Sequence, residues 1–251
     1  MDAKNKLIVA LDVPTFDEAR KIVETLGDTV STYKVGYQLF TAYGPFMVRF
    51  LQAQGKRVFL DLKFHDIPNT VANAVSSAVG FSTPLHDMLD AAGNKLGTDF
   101  APLFMMTVHT QGGLEMLKAA ADAAQKRAVE LKVERPLIVG VTVLTSDAMA
   151  NVSEVVLKRA KLSKAAGLDG VVSSAQEAAM LRREMGKDFI LVTPGIRPAN
   201  SEAGDQKRVE TPLSAIKNGA SFLVVGRPIV QAKSPRDAAK KILEEIQSLA
   251  C

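Results

Sequence analysis

The sequence predicts an α/β protein folded as a single (β/α)8 barrel of the TIM type. Three features carry that reading. Eight short β-branched runs recur along the chain, amphipathic stretches separate them, and no second zone of composition divides the 251 residues. Strict alternation of strand and helix requires parallel strands joined by helical crossovers. An open doubly wound sheet is the competing architecture, but the first strand lacks the glycine fingerprint of a dinucleotide site after it.

The first run, Leu7–Val13, leads into Phe16–Leu26, whose apolar residues recur three and four apart. Strands follow at Thr32–Gly36 and Arg57–Phe64. The crossover from Phe64 to Phe104 is longer than its neighbours and carries an inserted segment, 82–103. Thr83-Pro84 there resembles an N-cap and first turn, and Leu85, Met88, Leu89, Ala92 and Leu96 are helically spaced. Because it precedes the fourth strand, the insert belongs at the lower face of the barrel, where it bears on stability or assembly. His86 and Asp87 within it read as surface residues. The remaining strands are Phe104–Thr110, Leu137–Thr145, Gly170–Ser174, Phe189–Pro194 and Phe222–Gly226, with helical stretches at Leu114–Leu131, Glu154–Ala166 and Ala175–Met185.

Composition narrows the function classes. With 47% hydrophobic and 23% charged residues the chain is neither disordered nor a coiled coil. The single cysteine, Cys251, allows no internal disulfide and no cysteine-ligated metal. No apolar run approaches the roughly 18 residues of a membrane span, and Asp12 interrupts the first apolar stretch too early for a secretory leader. A cytoplasmic protein is expected. The net charge of +4 is small, Trp is absent, and the pairs Arg182-Arg183 and Lys240-Lys241 sit beside glutamates. Solvated helix faces explain those pairs, and no nucleic-acid surface is expected.

Polar residues fall where such a barrel keeps its chemistry, at the C-terminal ends of strands. Asp12, Lys34, Asp61 with Lys63, His109, Thr145, Ser173 with Ser174, Thr193 and Gly226 with Arg227 each close one of the eight apolar runs. Alternation puts Asp61 and Lys63 on one face of the third strand, above Phe59, while Leu60 and Leu62 turn toward the helices. Lys34 on the adjacent strand comes within reach of Asp61, since neighbouring strands lie only about 4.8 Å apart. Asp66 follows in the loop and need not face the same cavity. The expected array is two lysines and two carboxylates in a small volume, an expensive way merely to close a barrel. A Schiff-base lysine fits poorly, because flanking carboxylates stabilise the ammonium form. A permanent cation suits stabilisation of a developing carbanion and its protonation.

An anion end is also expected. Thr193-Pro194-Gly195-Ile196-Arg197-Pro198 opens a polar stretch containing Gly204 and Gln206, and the eighth strand ends Gly226-Arg227-Pro228. Loops after the seventh and eighth strands commonly build a phosphate site in this fold. A bare glycine N–H and an arginine fork supply the donors.

The run Asp61-Leu62-Lys63-Phe64-His65-Asp66-Ile67-Pro68-Asn69-Thr70 resembles the Asp-x-Lys-x-x-Asp-Ile-Pro-x-Thr signature of the orotidine 5'-monophosphate decarboxylase family. Leu11-Asp12, Lys34 with Gly36, Val108-His109, Leu144-Thr145, Thr193 to Arg197 and Val225 to Pro228 extend the resemblance over nearly the whole chain. It implies decarboxylation of a pyrimidine nucleotide without a cofactor or a metal. Asp12 and Lys34 would hold the ribose hydroxyls, and Asp61 would face the substrate carboxylate. Lys63 would stabilise the carbanion at pyrimidine carbon 6 and protonate it. Thr145 would contact the pyrimidine, and Arg197, Gln206, Gly226 and Arg227 would grip the phosphate. Asp66 and Thr70 would reach across a homodimer into the partner's site.

One departure from the family pattern concerns function: the loop at 147–153 is short, which predicts weaker closure over the pyrimidine and lower efficiency. Two rival readings follow from the same residues. One is a magnesium-dependent phosphosugar decarboxylase or aldolase, which shares Asp-x-Lys-x-x-Asp, although the lysine between its carboxylates argues against a divalent ion at Asp61, His65 and Asp66. The other is a barrel that binds a phosphorylated nucleotide and turns nothing over. His65 and His109 read as histidines oriented by hydrogen bonds within the barrel.

Overall fold

The computed structural model describes residues 3–83, 100–144, 151–198 and 210–248. Its strands are β1 Leu7–Ala10, β2 Thr32–Gly36, β3 Arg57–Phe64, β4 Leu103–His109, β5 Leu137–Val141, β6 Gly170–Val172, β7 Ile190–Thr193 and β8 Phe222–Val225. All pair in parallel in chain order, and β8 returns to β1 to close the barrel. The doubly wound alternative is therefore excluded.

Period-two alternation sorts each strand between two cores. Ile8, Ala10, Phe59, Met105, Val139, Val192, Phe222 and Val224 fill the barrel interior. Their neighbours Leu7, Val9, Val58, Leu60, Leu223 and Val225 pack outward into the layer of helices. Helix boundaries follow their local punctuation. The helix Phe16–Leu26 starts where Thr15 Oγ1 accepts the Glu18 N–H at 3.2 Å and stops at Gly27, whose φ is 49°. The helix Ala175–Met185 is capped by Ser174 Oγ, which accepts the Gln176 N–H, and ends at Gly186 with φ 87°. In both cases a hydroxyl satisfies an orphan donor, and glycine supplies the left-handed exit.

Several strands stop earlier than their apolar runs suggest. β1 ends at Ala10 instead of Val13, and β5 at Val141 instead of the expected Thr145. Single ladder bonds persist just beyond, from Leu11 N to Lys34 O at 3.0 Å and from Thr142 N to Val172 O at 3.2 Å. The chain leaves the ladder there because the rim must turn its side chains across the mouth.

The predicted insert departs from the lower face. Leu103, which opens β4, donates its N–H to Ser82 Oγ at 3.1 Å. The Arg49 guanidinium donates to the carbonyls of Gly80, Phe81 and Thr83 and lies over the rings of Phe81 and Phe100. The two ends of the segment are thus pinned together. The expected helix from Leu85 to Leu96, with His86 and Asp87, falls outside the described residues.

Candidate active site

The barrel mouth holds a cleft of about 460 Å³ with two chemically different ends. One end gathers Asp12, Lys34, Asp61 and Lys63; the other gathers Gly195, Arg197, Gly226, Arg227 and Gln231. Val141, Val143, Val172 and Val224 make the walls between them apolar.

The charged end is a chain of ion pairs. Lys34 Nζ lies 2.9 Å from Asp12 Oδ1 and 3.5 Å from Asp61 Oδ2, and Lys63 Nζ lies 2.9 Å from that same Asp61 oxygen. Register explains the first contact: Ala10 of β1 pairs with Lys34 of β2, so Asp12, two residues beyond, reaches over the rim. The second carboxylate of the array is therefore Asp12. Asp66 is exposed, its Oδ1 accepting the Ile67 N–H at 2.6 Å, because the chain has already turned off β3. Gly36 makes room for the array, since a Cβ there would stand 2.7 Å from Lys34 Nζ and 3.2 Å from Asp12 Oδ1.

Asp61 and Lys63 meet as expected, but not through simple alternation. β3 bulges against β4 between Leu60 and Phe64, and Lys63 adopts a φ of 43°. A non-glycine residue in the left-handed region carries strain of the kind that concentrates at functional sites. The Lys63 N–H is taken by Thr107 Oγ1 at 2.7 Å, and the Thr107 hydroxyl donates to Asp61 Oδ1 at 3.0 Å. The Tyr37 ring lies 5.1 Å from Lys63 Nζ. Burial, together with the Asp61 charge, raises the pKa of the Tyr37 phenol.

Electrostatics keep Asp61 and Lys34 ionised. Burial alone would raise the Asp61 carboxyl pKa, but Lys34, Lys63 and the hydrogen bonds from Lys63 and Thr107 hold it below the usual carboxylate range. Burial would lower the Lys34 pKa, and the charges of Asp61 and Asp12 outweigh it, holding this ammonium above the usual lysine value. The Asp61 contribution to stability is therefore full above the ordinary carboxylate pKa of about 4 and disappears as pH falls through the lower folded value. Asp61→Asn should lower the thermal midpoint at pH 7, with the difference from wild type narrowing below about pH 4. Differential scanning calorimetry across that range checks this; a constant difference would contradict it.

At the other end Gly195 turns the chain after β7 with a φ of 77°. Beyond it, the Arg197 N–H donates to Glu210 O at 2.9 Å, closing the base of the loop that contains Gln206. Arg197 is buried, whereas Arg227, at the start of the short helix Arg227–Val230, is exposed toward the mouth. A Cβ on Gly226 would meet only Ala10, its Cβ at 3.5 Å and its carbonyl oxygen at 3.9 Å, both ordinary contacts. The protein's own packing does not demand glycine there, so the bare backbone opens to the cleft.

Of the residues singled out in the sequence, seven line this one cleft: Asp12, Lys34, Asp61, Lys63, Arg197, Gly226 and Arg227. Asp66 and Thr70 do not line it and sit exposed at the start of the helix Pro68–Val79. Thr145, Gln206 and most of the loop at 147–153 fall outside the described residues. His65 stacks on His109 at 5.5 Å, and His109 Nδ1 accepts the Gln111 N–H. Sequence reasoning missed Thr107, Tyr37 and Gln231. Thr107 did leave a trace, as the one hydroxyl inside the apolar run Met105-Met106-Thr107-Val108.

Fold and cleft together define a class: a (β/α)8-barrel enzyme that sets a lysine–aspartate array beside a group of glycines and arginines in one cleft. The chain belongs to the orotidine 5'-phosphate decarboxylase / HUMPS family, whose model matches residues 5–242. It is 45% identical to the orotidine 5'-phosphate decarboxylase of Moorella thermoacetica over 98% of this chain and 94% of that one. Identity to the enzyme of that name from Idiomarina loihiensis is 46%, over 96% and 97% of the two chains. The crystal structure of orotidine 5'-phosphate decarboxylase from Lactobacillus acidophilus superposes with a TM-score of 0.77 at 35% identity, covering 96% of this chain and 98% of that one.

Proposed function

We propose that this protein converts orotidine 5'-monophosphate to uridine 5'-monophosphate, a carboxy-lyase step of pyrimidine nucleotide synthesis, without a cofactor. The observation that carries this reading is the Lys63 ammonium, held 2.9 Å from Asp61 in a cleft whose far end presents Arg197 and Arg227. The family and its named relatives support the same chemistry.

When the bond from pyrimidine carbon 6 to the carboxylate breaks, its electron pair stays on carbon 6 and carbon dioxide leaves. The resulting anion lies in the ring plane with no electron sink, so the protein must supply the stabilisation. The Lys63 ammonium sits beside carbon 6, offsets the growing charge and transfers its proton there. The neutral amine regains a proton from water. Asp61 lies against the departing carboxylate and fixes Lys63; Lys34 and Asp12 hold the ribose hydroxyls. Arg197, Gly226 and Arg227 grip the phosphate, joined by Gln206, and Thr145 contacts the pyrimidine. Phosphate binding far from carbon 6 supplies energy for orientation and water exclusion at the reacting end. Such nucleotide synthesis suits a cytoplasmic setting, and no described helix is long and apolar enough to cross a membrane.

The test is the loss of orotidine monophosphate absorbance in the presence of a chelator. Turnover that persists supports the reading. Turnover abolished by the chelator, or calorimetric binding of uridine monophosphate without turnover, contradicts it.

A homodimer completes the site in this proposal. Ile67 is 66% exposed between Asp66 and Thr70, so an apolar side chain and two polar ones stand together on an outer surface. In a two-fold dimer these residues enter the partner's cleft. Mixing Lys63→Ala with Asp66→Asn subunits should then rebuild one intact site in each heterodimer and recover activity that neither variant shows alone. Heterodimers demonstrated by mass spectrometry but without recovered activity would contradict the shared site.

A further inference from the structure

β3 and β4 fall out of step beside the charged array. Leu60 pairs with Met106 and Phe64 with Val108, so Asp61, Leu62 and Lys63 all stand opposite a single residue, Thr107. A bulge of this kind leaves backbone groups without ladder partners. The Lys63 N–H is satisfied by Thr107 Oγ1 at 2.7 Å, and the same hydroxyl donates to Asp61 Oδ1 at 3.0 Å. Thr107 is fully buried.

The direction of these bonds is fixed. A hydroxyl has one hydrogen, a backbone N–H can only donate, and an ionised carboxylate can only accept. The hydrogen of Thr107 therefore points at Asp61 while its lone pair takes the Lys63 N–H. Anchoring Oδ1 in turn aims Oδ2 at both ammoniums, 2.9 Å from Lys63 and 3.5 Å from Lys34. One hydroxyl thus sets the backbone of Lys63 and the side-chain rotation of Asp61 together.

We propose that Thr107 is a positioning residue for the decarboxylation, holding Lys63 in its left-handed conformation and Asp61 in the orientation that presents the Lys63 ammonium to carbon 6. This rests on the decarboxylase reading above. A packing role would be served equally by valine, which keeps the branched shape and loses only the hydroxyl. A positioning role would not. Misplacement of a reacting group by about 1 Å costs on the order of 100-fold in rate.

The test compares wild type, Thr107→Val and Thr107→Ser in the decarboxylation assay. Thr107→Val should lower kcat by about 100-fold while KM stays within about threefold, since the phosphate end is untouched. The acid limb of its kcat profile should move to higher pH, because Asp61 loses a bond that favours its charged form. Thr107→Ser, which keeps the hydroxyl, should recover kcat to within about fivefold of wild type. If Thr107→Val does not fold, Thr107→Ala is read against the same thresholds. A valine or alanine variant within about threefold of wild type in kcat overturns the proposal, as does a serine variant as impaired as valine. An inactive wild type would overturn the decarboxylase reading and this inference with it, whereas an active wild type with an unimpaired valine variant overturns the role of Thr107 alone.

Discussion

Lys63→Ala should lower kcat by roughly 10⁵-fold while leaving nucleotide binding nearly intact. The ammonium serves twice, as the charge beside the forming carbanion and as its proton donor; contributions of about 10²–10³-fold and 10²–10⁴-fold are typical of such roles. The Asp61 carboxylate also loses its closer cation, the one at 2.9 Å, and keeps Lys34 at 3.5 Å and the Thr107 hydroxyl at 3.0 Å. Binding is a different matter, because the proposed phosphate contacts, Arg197, Gly226 and Arg227, are separate from the lysine array. Calorimetry with uridine monophosphate should therefore give a Kd within about tenfold of wild type beside the collapse in turnover. A variant retaining more than about one per cent of wild-type kcat would remove Lys63 from the chemistry.

Arg227→Ala carries the second large effect, and it should appear in kcat as well as in KM. If the phosphate were only an anchor, losing its clamp would raise KM alone. In the proposed mechanism remote binding energy supports orientation and water exclusion at carbon 6, so kcat/KM should fall by about 10³-fold, with part of the loss in kcat. Orotidine without its phosphate supplies the control. Wild type should be severely impaired on it, and Arg227→Ala should be no worse than wild type. An arginine effect of equal size on the nucleoside would show that Arg227 acts on something other than phosphate.

These expectations rest on residues that were largely legible in the sequence. The barrel was readable because each strand repeats one local pattern, and helical apolar spacing marked Phe16–Leu26 and Ala175–Met185 to the residue. Strand ends were less legible. The apolar pattern of Leu11 and Val13 runs on past Ala10, where the ladder stops, and hydrophobicity does not record where backbone pairing gives way to rim geometry. The proximity of Lys34, Asp61 and Lys63 followed from strand spacing, and Arg197 with Arg227 followed from their position after the last two strands.

The array's fourth member was left open by the sequence for an identifiable reason. Asp66 is near Lys63 in sequence, whereas Asp12 reaches Lys34 through the pairing of Ala10 with Lys34, a contact that only the closed sheet provides. The bulge at Lys63 was likewise hidden. Its φ of 43° depends on a hydroxyl from β4, and nothing in the local run Asp61-Leu62-Lys63 signals that partner. Gln231 follows the short helix after β8, where no periodicity points toward the mouth.

In the proposed mechanism an ammonium held by acidic neighbours meets the reacting ring carbon while the phosphate is bound at the far end. A crystal structure with uridine monophosphate in the cleft tests it most directly. Carbon 6 should lie about 3 Å from Lys63 Nζ, with the phosphate on Arg197, Gly226 and Arg227. A phosphate bound at the lysine end, or a Lys63 amine turned away from the pyrimidine, would contradict it.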